Sequence, residues 1–169
     1  MKIILKITRN LLEIVQQDLA RPHLFALERV GFLSGRVGTW GEAGLVIPIH
    51  GYQPVSDADY QEDDSVGAMM ASSAIRKALQ FAYTHKVAMF HVHRHEHRGR
   101  PAFSCVDLRE NAKFIPDFWH VCPNHPHGAL LLTIDSASGM CWCPTLTSPI
   151  PITEIVIVGA PMEVLSHGH

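Results

Sequence analysis

The sequence predicts an α/β fold in which a mixed β-sheet packs between α-helices. Segments that alternate like strands and segments with helical apolar spacing follow one another along the chain. A turn-forming run from Asp135 to Gly139 separates two apolar segments and adds a hairpin, which makes the sheet mixed. The 169 residues contain no repeat, low-complexity segment or interdomain linker. These features predict one domain that spans residues 1–169.

Seven segments have the features of strands. The first, Lys2 to Ile7, alternates along its length, and a turn at Gly38 and Gly41 pairs the second segment with the third. The fourth contains the continuous apolar run Val87-Ala88-Met89-Phe90, which is typical of a buried strand. The predicted strands are residues 2–7, 26–36, 44–50, 86–93, 128–134, 139–143 and 153–158.

Three segments have the features of helices. The first has apolar residues at three- and four-residue spacing and stops before Pro22. The second carries Met69 and Met70, which we interpret as side chains that fill the core. The third begins at Ser104 and has an acidic first turn. The predicted helices are residues 9–20, 65–84 and 104–117.

Composition narrows the class of protein. Hydrophobic residues make up 47% of the chain, charged residues 18%, and the net charge is −2, so neither disorder nor nucleic-acid binding is expected. No apolar stretch approaches the ~18–20 residues of a membrane span. Lys6 interrupts the N-terminal apolar segment, which argues against a signal peptide. We therefore expect a cytoplasmic protein whose four cysteines stay reduced.

A candidate metal site follows the fourth predicted strand. His91 and His93 are two residues apart, so an extended strand points both imidazoles to one face. After an intervening loop, Asp107 offers a third ligand through oxygen. Catalytic zinc typically has three protein ligands and keeps its fourth tetrahedral position open for water. The pattern predicts a catalytic zinc site formed by His91, His93 and Asp107.

The same residues have simpler interpretations. Ser104 and Asp107 are the residue types expected at a helix N-terminus, as N-cap and first-turn acid. The histidines continue through His95 and His97, so a polar strand end that binds metal adventitiously is an alternative. The occurrence of both patterns at short spacing after a buried strand favours the metal site.

Amide hydrolysis by zinc also needs a general base. A zinc-bound water with a pKa near ~7 attacks an amide efficiently only when a neighbouring group takes its proton. Glu28 is the candidate, because it stands at the head of an apolar run that contains Gly31 and Gly35. The simpler interpretation is a solvated glutamate at the start of a strand.

These segments together carry a family resemblance. Glu28 before Val30-Gly31-Phe32-Leu33-Ser34-Gly35, His91-Val92-His93 and Ser104-Cys105-Val106-Asp107 resemble the JAMM motif of the MPN-plus zinc metalloproteases, including prokaryotic deubiquitinase-like JAB domains. These enzymes release ubiquitin, ubiquitin-like or sulfur-carrier proteins from what they are joined to. The resemblance implies an MPN-like fold in which His91, His93 and Asp107 bind zinc, Glu28 activates water and Ser104 stabilises the oxyanion. It also implies a ubiquitin-like or sulfur-carrier substrate, and pathway partners of the ubiquitin-activating or conjugating type.

The register of the histidine pair is open. The family usually has proline after the second histidine and about seven residues before the serine. Here Arg94 follows His93, and ten residues separate His93 from Ser104. We prefer the His91/His93 pair because it directly follows the apolar strand, and the longer connection is acceptable as a surface insertion. His95 is the reserve ligand.

Two other features have functional alternatives. One is a set of soft ligands that offers a second, structural zinc site, although buried thiols are the favoured interpretation. That set comprises Cys122, His125, His127, Cys141 and Cys143. The other is the acidic run from Asp57 to Asp64, for which we expect a solvated loop and whose functional alternative is a dock for basic residues of a substrate tail.

Two functions of different class follow. The first is a zinc-dependent (iso)peptidase that hydrolyses the amide bond at the C-terminal tail of a ubiquitin-like protein. The second is a metal-free MPN-like scaffold or binding module in a larger assembly. The presence of every residue type that the chemistry needs favours the enzyme.

Overall fold

The computed structural model describes residues 1–41, 44–63 and 65–166. The strands are β1 (Lys2–Thr8), β2 (Val30–Gly35), β3 (Gly38–Trp40), β4 (Gly44–Pro54), β5 (Tyr60–Gln61), β6 (Met69–Met70), β7 (Ala88–Arg94), β8 (His127–Leu132), β9 (Ala137–Trp142), β10 (Ile150–Pro151), β11 (Glu154–Val158) and β12 (Glu163–Ser166). The helices are α1 (Arg9–Leu19), α2 (Ser72–His85), α3 (Cys105–Phe114) and α4 (Phe118–Val121). Short 3-10 turns lie at Asp57–Asp59 and Ile115–Asp117.

Ten of these strands form one mixed sheet. Its order is β10-β9-β8-β7-β2-β4-β1-β11-β12, with β3 paired to β4. β1 runs parallel to β4 and β11, and β7 runs parallel to β8, whereas the other neighbours are antiparallel. β5 and β6 form a separate two-stranded ribbon. The predicted α/β class with a mixed sheet is confirmed.

Two hydrophobic cores lie on opposite faces of the sheet, and β7 contributes to both. Ala88, Phe90 and Val92 point into the core that α1 covers. Met89 points into the other core, where side chains of α2, α3 and α4 pack. Because side chains alternate along a strand, His91 and His93 share the face of Met89. The histidines are therefore directed toward the helices that follow in the chain.

The first helix is close to its prediction. The Thr8 hydroxyl accepts a hydrogen bond from the Leu11 amide at 3.3 Å and so caps α1. Val15 and Leu19 are buried against the sheet. In the described part of the chain, every helix is too short or too polar to cross a membrane.

The second helix begins later than predicted. Residues 65–71 are not helical, because Met69 and Met70 pair with β5 and the Ala71 amide donates to the Asp59 carbonyl at 2.8 Å. The core-filling interpretation is confirmed for Met70, which packs against the core, but not for Met69. Both methionines are half-buried and line a cavity beside the candidate site.

Two other predicted boundaries shift in ways that bear on the site. The second strand begins at Val30, so Glu28 lies in the loop before it rather than within it. The third helix ends at Phe114, and a 3-10 turn that contains Pro116 follows. Proline cannot donate the amide that a continued helix would require.

Candidate metal centre

The two histidines of β7 form the wall of the site. His91 is 9% exposed and His93 is 2% exposed. Their rings stack with centroids 5.7 Å apart, as expected of residues i and i+2 on one face of a strand. Phe114 packs edge-on against His91, with the ring centroids 5.3 Å apart. The hydrophobic surroundings thus fix the orientation of the imidazoles.

The tautomer of His91 follows from its hydrogen bond. Nδ1 of His91 lies 3.1 Å from Oδ1 of Asn111, and an amide oxygen only accepts, so Nδ1 donates its hydrogen. Nε2 then carries a lone pair and is buried without a hydrogen-bond partner. Burial, with the neighbouring His93, lowers the pKa of His91 to about 3. The ring is therefore neutral at pH 7, which is the form that binds a metal.

The start of α3 brings Asp107 to this wall. The Asp107 amide donates to the Ser104 hydroxyl oxygen at 3.1 Å, and the Ser104 amide donates to Oδ2 of Asp107 at 2.8 Å. This capping box confirms the predicted helix N-terminus. It also leaves Oδ1 of Asp107 facing Nε2 of His93 at 3.5 Å. The helix cap and the approach to His93 are thus made by two different oxygens of one carboxylate.

The charge of Asp107 suits a ligand. Partial burial raises its pKa, but the nearby His93 ring and the hydroxyl and amide of Ser104 lower it more, so the net pKa lies below the usual range. The carboxylate is therefore ionised at neutral pH. Two ligands of one tetrahedral zinc, each about 2.0–2.2 Å from the ion, lie about 3.3–3.5 Å apart. The separation of 3.5 Å between Asp107 and His93 matches that geometry.

Glu28 reaches the other side of His93 from the loop before β2. Its Oε1 lies 3.6 Å from Nε2 of His95. Ligand atoms of Glu28, His93 and His95 all lie within 4.8 Å of one another. His93 therefore stands between Asp107 on one side and the Glu28/His95 pair on the other.

The structure brings Glu28, His91 and Asp107 close to His93 and leaves two possible ligand sets. Ser104 is exposed and contacts Asp107 through the helix cap. Among the residues described, Glu28, His93 and His95 are the one group of acidic, histidine or cysteine residues that meets the 4.8 Å spacing. The predicted set of His91, His93 and Asp107 has a shorter contact between His93 and Asp107, but as a whole it does not meet that spacing. A cluster that could hold a metal ion is therefore present, with His93 as its shared member.

The remaining candidates for metal binding are arranged differently. His97 is exposed, and its Nδ1 lies 3.0 Å from the Arg98 carbonyl oxygen. Cys141 and Cys143 are buried with their sulfurs 3.8 Å apart. Cys122 donates to the Ala82 carbonyl, 3.6 Å away. Within the described ranges these cysteines form no common ligand set with the nearby histidines.

Two acids of the acidic run make contacts within the fold. Asp57 pairs with the buried Arg29 guanidinium at 2.6 Å, which lowers the pKa of Asp57. Asp59 is buried and accepts from Lys77, Ser73 and Ser56, which lower its pKa to about 2. The expected solvated loop is therefore wrong for the buried Asp59, whereas Asp57 is exposed even though it forms an ion pair. The dock for a substrate tail stays a prediction. Asp64, the last residue of the run, lies outside the described residues.

A cavity of about 510 Å³ opens beside the candidate ligands. Its polar lining includes Glu28, His91, His93, Asp107 and Asn111. Its apolar lining includes Val66, Ala68, Met69, Met70 and Ile75. Such a combination of a few polar groups with apolar walls is typical of a ligand site.

Asn111 is the site residue that sequence reasoning missed. It is 2% exposed and orients His91 through the hydrogen bond at 3.1 Å. The available signal was its position four residues after Asp107, which places both side chains on one face of a helix.

Comparison with known proteins assigns no family, since neither a protein-family model nor a curated protein sequence matches this chain. The chemistry of the site must carry the functional inference.

Proposed function

We propose that this chain is a zinc-dependent (iso)peptidase with an MPN-like fold, of the JAMM type, which hydrolyses the amide bond at the C-terminal tail of a ubiquitin-like protein. The observation that carries the proposal is the set of buried imidazole nitrogens beside Asp107. Nε2 of His91 and both ring nitrogens of His93 are buried without a hydrogen bond. Leaving such groups unpaired costs about 1–3 kcal/mol each, and a metal bound to one nitrogen of each ring would remove that cost for Nε2 of His91 and for one nitrogen of His93.

The residues present fit zinc. They supply neutral imidazole nitrogen and an ionised carboxylate, which are the donor types found in catalytic zinc sites. The His93 to Asp107 separation of 3.5 Å suits two ligands of one tetrahedral ion. Asn111 supplies the supporting hydrogen bond that metal-bound histidines usually have on their second nitrogen.

His91 is a better third ligand than His95. Its free nitrogen is buried and its tautomer is set by Asn111. His95 is more exposed, and its Nε2 faces the Glu28 carboxylate. We therefore assign zinc binding to His91, His93 and Asp107 and place His95 beside the general base.

The proposed mechanism divides the work among three kinds of side chain. His91, His93 and Asp107 would hold the zinc, which would supply a Lewis acid for the scissile carbonyl and lower the pKa of a water molecule. Glu28 accepts the proton of the attacking water and passes it to the leaving amine. The Ser104 hydroxyl already accepts the Asp107 amide through its oxygen, so its own hydrogen is free to donate to the carbonyl oxygen as negative charge develops there.

The substrate class rests on the family resemblance and on the shape of the cavity. Apolar residues from the segment before β6, from β6 itself and from α2 line an open cavity that reaches the candidate ligands. An extended C-terminal tail fits such a site better than a folded surface does, since only an extended chain can deliver one amide to a recessed metal.

Metal analysis combined with a cleavage assay tests the proposal. The purified chain should contain about one zinc, and it should release a C-terminal extension from a ubiquitin-like protein or separate an isopeptide-linked conjugate. Removing zinc with a chelator should abolish cleavage, and adding zinc back should restore it. A chain that binds no zinc and leaves both kinds of substrate intact would instead support the metal-free scaffold.

A further inference from the structure

The main chain of Glu28 is held by a single glycine carbonyl. The amides of Leu27 and Glu28 both donate to the oxygen of Gly67, at 2.8 and 3.0 Å. Gly67 lies in the segment between β5 and β6, 39 residues after Glu28 in the sequence. The loop that carries Glu28 is thus fixed to a second loop across the mouth of the cavity.

The side chain of Glu28 also depends on Gly67. A Cβ atom added at Gly67 would lie 2.8 Å from Cδ and from Oε2 of Glu28, and 3.2 Å from Oε1. These distances are too short for non-bonded atoms, so any side chain at position 67 must displace the carboxylate. Gly67 does not have a positive φ. What the glycine provides is therefore space for the carboxylate and not a special backbone conformation.

The chain on the other side of Glu28 cannot move to relieve such a contact. The neighbouring Arg29 is 4% exposed and donates to Asp57 and to the carbonyls of Arg21 and Pro22, at 2.6, 2.9 and 3.0 Å. The Val30 amide donates to the Tyr60 hydroxyl at 2.8 Å. The backbone of Glu28 is thus held from both sides, and the flexible carboxylate is the part that yields.

We infer that Gly67 is a positioning residue for Glu28: it holds the carboxylate between its own Cα and the His95 ring, where the general base must stand. The inference rests on the proposed function. This role is consistent with the non-helical conformation of the segment before α2, since the carbonyl of a residue inside a helix would not be available to the Leu27 and Glu28 amides.

The test is Gly67→Ala, with Gly38→Ala as the matched control. Gly38 also lacks a positive φ, and it lies in β3, away from the site. Because only the end of a flexible side chain must move, Gly67→Ala should fold, bind zinc and melt within a few degrees of wild type. A crystal structure of the variant should show the Glu28 carboxylate moved from its 3.6 Å position beside His95.

Kinetics give the second readout. Gly67→Ala should lower kcat about 10²-fold with KM nearly unchanged, because the base is misplaced while the substrate groove remains. In a Glu28→Asp background the side chain is shorter by one methylene, so an added Cβ at position 67 should no longer displace the carboxylate. Gly67→Ala should therefore lower kcat by less than about threefold in that background. Gly38→Ala should leave kcat at the wild-type value.

The outcomes separate the inference from the proposed function. A Gly67→Ala structure with Glu28 unmoved, or equal losses of kcat in the wild-type and Glu28→Asp backgrounds, overturns the positioning role while leaving the enzyme intact. A wild-type chain that cleaves no ubiquitin-like substrate overturns the proposed function and the role of Gly67 with it. If Gly67→Ala alone fails to fold, the Glu28→Asp/Gly67→Ala double variant decides the question, since relief of the contact should restore folding.

Discussion

His127 and His93 are both buried histidines on neighbouring strands of the sheet, but only the ring nitrogens of His127 have hydrogen-bond partners. His127 is fully buried; its Nδ1 accepts the Met89 amide at 3.1 Å, and its Nε2 lies 3.3 Å from the Cys122 carbonyl. Its ring stacks on Phe118 at 5.2 Å. His93 is 2% exposed, yet neither of its nitrogens has a hydrogen bond.

The contrast separates a structural histidine from a candidate ligand. His127 joins three segments of chain and leaves no polar atom unsatisfied, so the fold alone explains it. His93 and His91 keep buried lone pairs that the fold does not use, which costs stability unless something binds them. Burial alone therefore does not mark the site. Nε2 of His23 is also buried without a hydrogen bond, so the distinguishing feature is a pair of such imidazoles with a carboxylate 3.5 Å away.

The strongest test of this contrast is to replace the two kinds of histidine in separate variants. We expect about one zinc per chain in the wild type. A His91→Ala/His93→Ala double variant should lose nearly all of this zinc, and hydrolysis should be lost with it. His127→Gln should keep full zinc content, because His127 only joins elements of the fold. Metal analysis of the two proteins decides. Full zinc in the double variant would move the site to His95/His97 or to the cysteines.

Replacing Glu28 tests the chemistry without disturbing the ligands. Glu28→Gln is nearly isosteric but cannot accept a proton, so turnover should fall by ~10²–10⁴ while zinc content and melting temperature stay at wild-type values. A steady-state assay with a ubiquitin-like substrate, run beside metal analysis, measures this. Wild-type turnover in this variant would exclude Glu28 as the base.

Ser104 has a capping role in the structure and a catalytic role in the proposal. Ser104→Ala should cost about 0.5–2 kcal/mol of stability from the lost cap, and turnover should also fall ~10²–10³ if the hydroxyl stabilises the oxyanion. Ser104→Asp keeps a capping oxygen but places negative charge beside the reacting carbonyl. We expect that variant to be stable, zinc-loaded and inactive. Near-normal turnover would leave Ser104 as a helix cap alone.

Asn111 should strengthen zinc binding without being required for it. Asn111→Ala removes the acceptor that fixes the His91 ring, and zinc affinity should weaken by about 10- to 100-fold. Asn111→Asp keeps an acceptor oxygen and should retain most of the affinity. Competition with a chromophoric chelator gives both values. Equal affinities in wild type and Asn111→Ala would remove His91 from the ligand set.

The smallest expected effect is a pH dependence that belongs to His127. Its folded pKa is about 4, because burial lowers it from 6.5. Between these values the unfolded chain binds a proton that the folded chain excludes, so the free energy of unfolding falls as pH falls. From about pH 7 to about pH 5.5 the loss from His127 is about 1 kcal/mol.

Chemical denaturation in the presence of a chelator measures that loss. His127→Gln should reduce it by about the same amount and leave the part that comes from His91, whose pKa is lowered to about 3. An identical pH dependence in wild type and His127→Gln would show that His127 does not exclude a proton when folded.

Local patterns predicted the parts of the site that local chemistry determines. The alternation of β7 placed His91 and His93 on one face, and the Ser104/Asp107 spacing predicted the N-terminus of α3. The α/β class followed for the same reason, because strand and helix periodicities are properties of short segments.

Features that depend on distant contacts were not predictable from sequence. The segment before α2 has helical spacing, but its pairing with Tyr60 and Gln61 and the two hydrogen bonds to Gly67 prevail over that spacing. The short strands β3, β5, β6, β10 and β12 were missed, since two to four residues carry too little periodicity. Asp57 and Asp59 gave a charge run, but their partners Arg29 and Lys77 lie far away in sequence.

The two faces of β7 also bear on how such a protein changes over generations. One face is filled by Ala88, Phe90 and Val92, and the other would be filled as well if His91 and His93 became apolar. Such replacements would remove the unpaired nitrogens and raise stability, and they would end the hydrolysis that we propose. Under the proposed function, continued selection for the reaction is what keeps the histidines in place. A lineage released from that selection would drift toward a more stable descendant of the same fold without the metal ligands, so the change from the proposed enzyme to a scaffold would be energetically favourable.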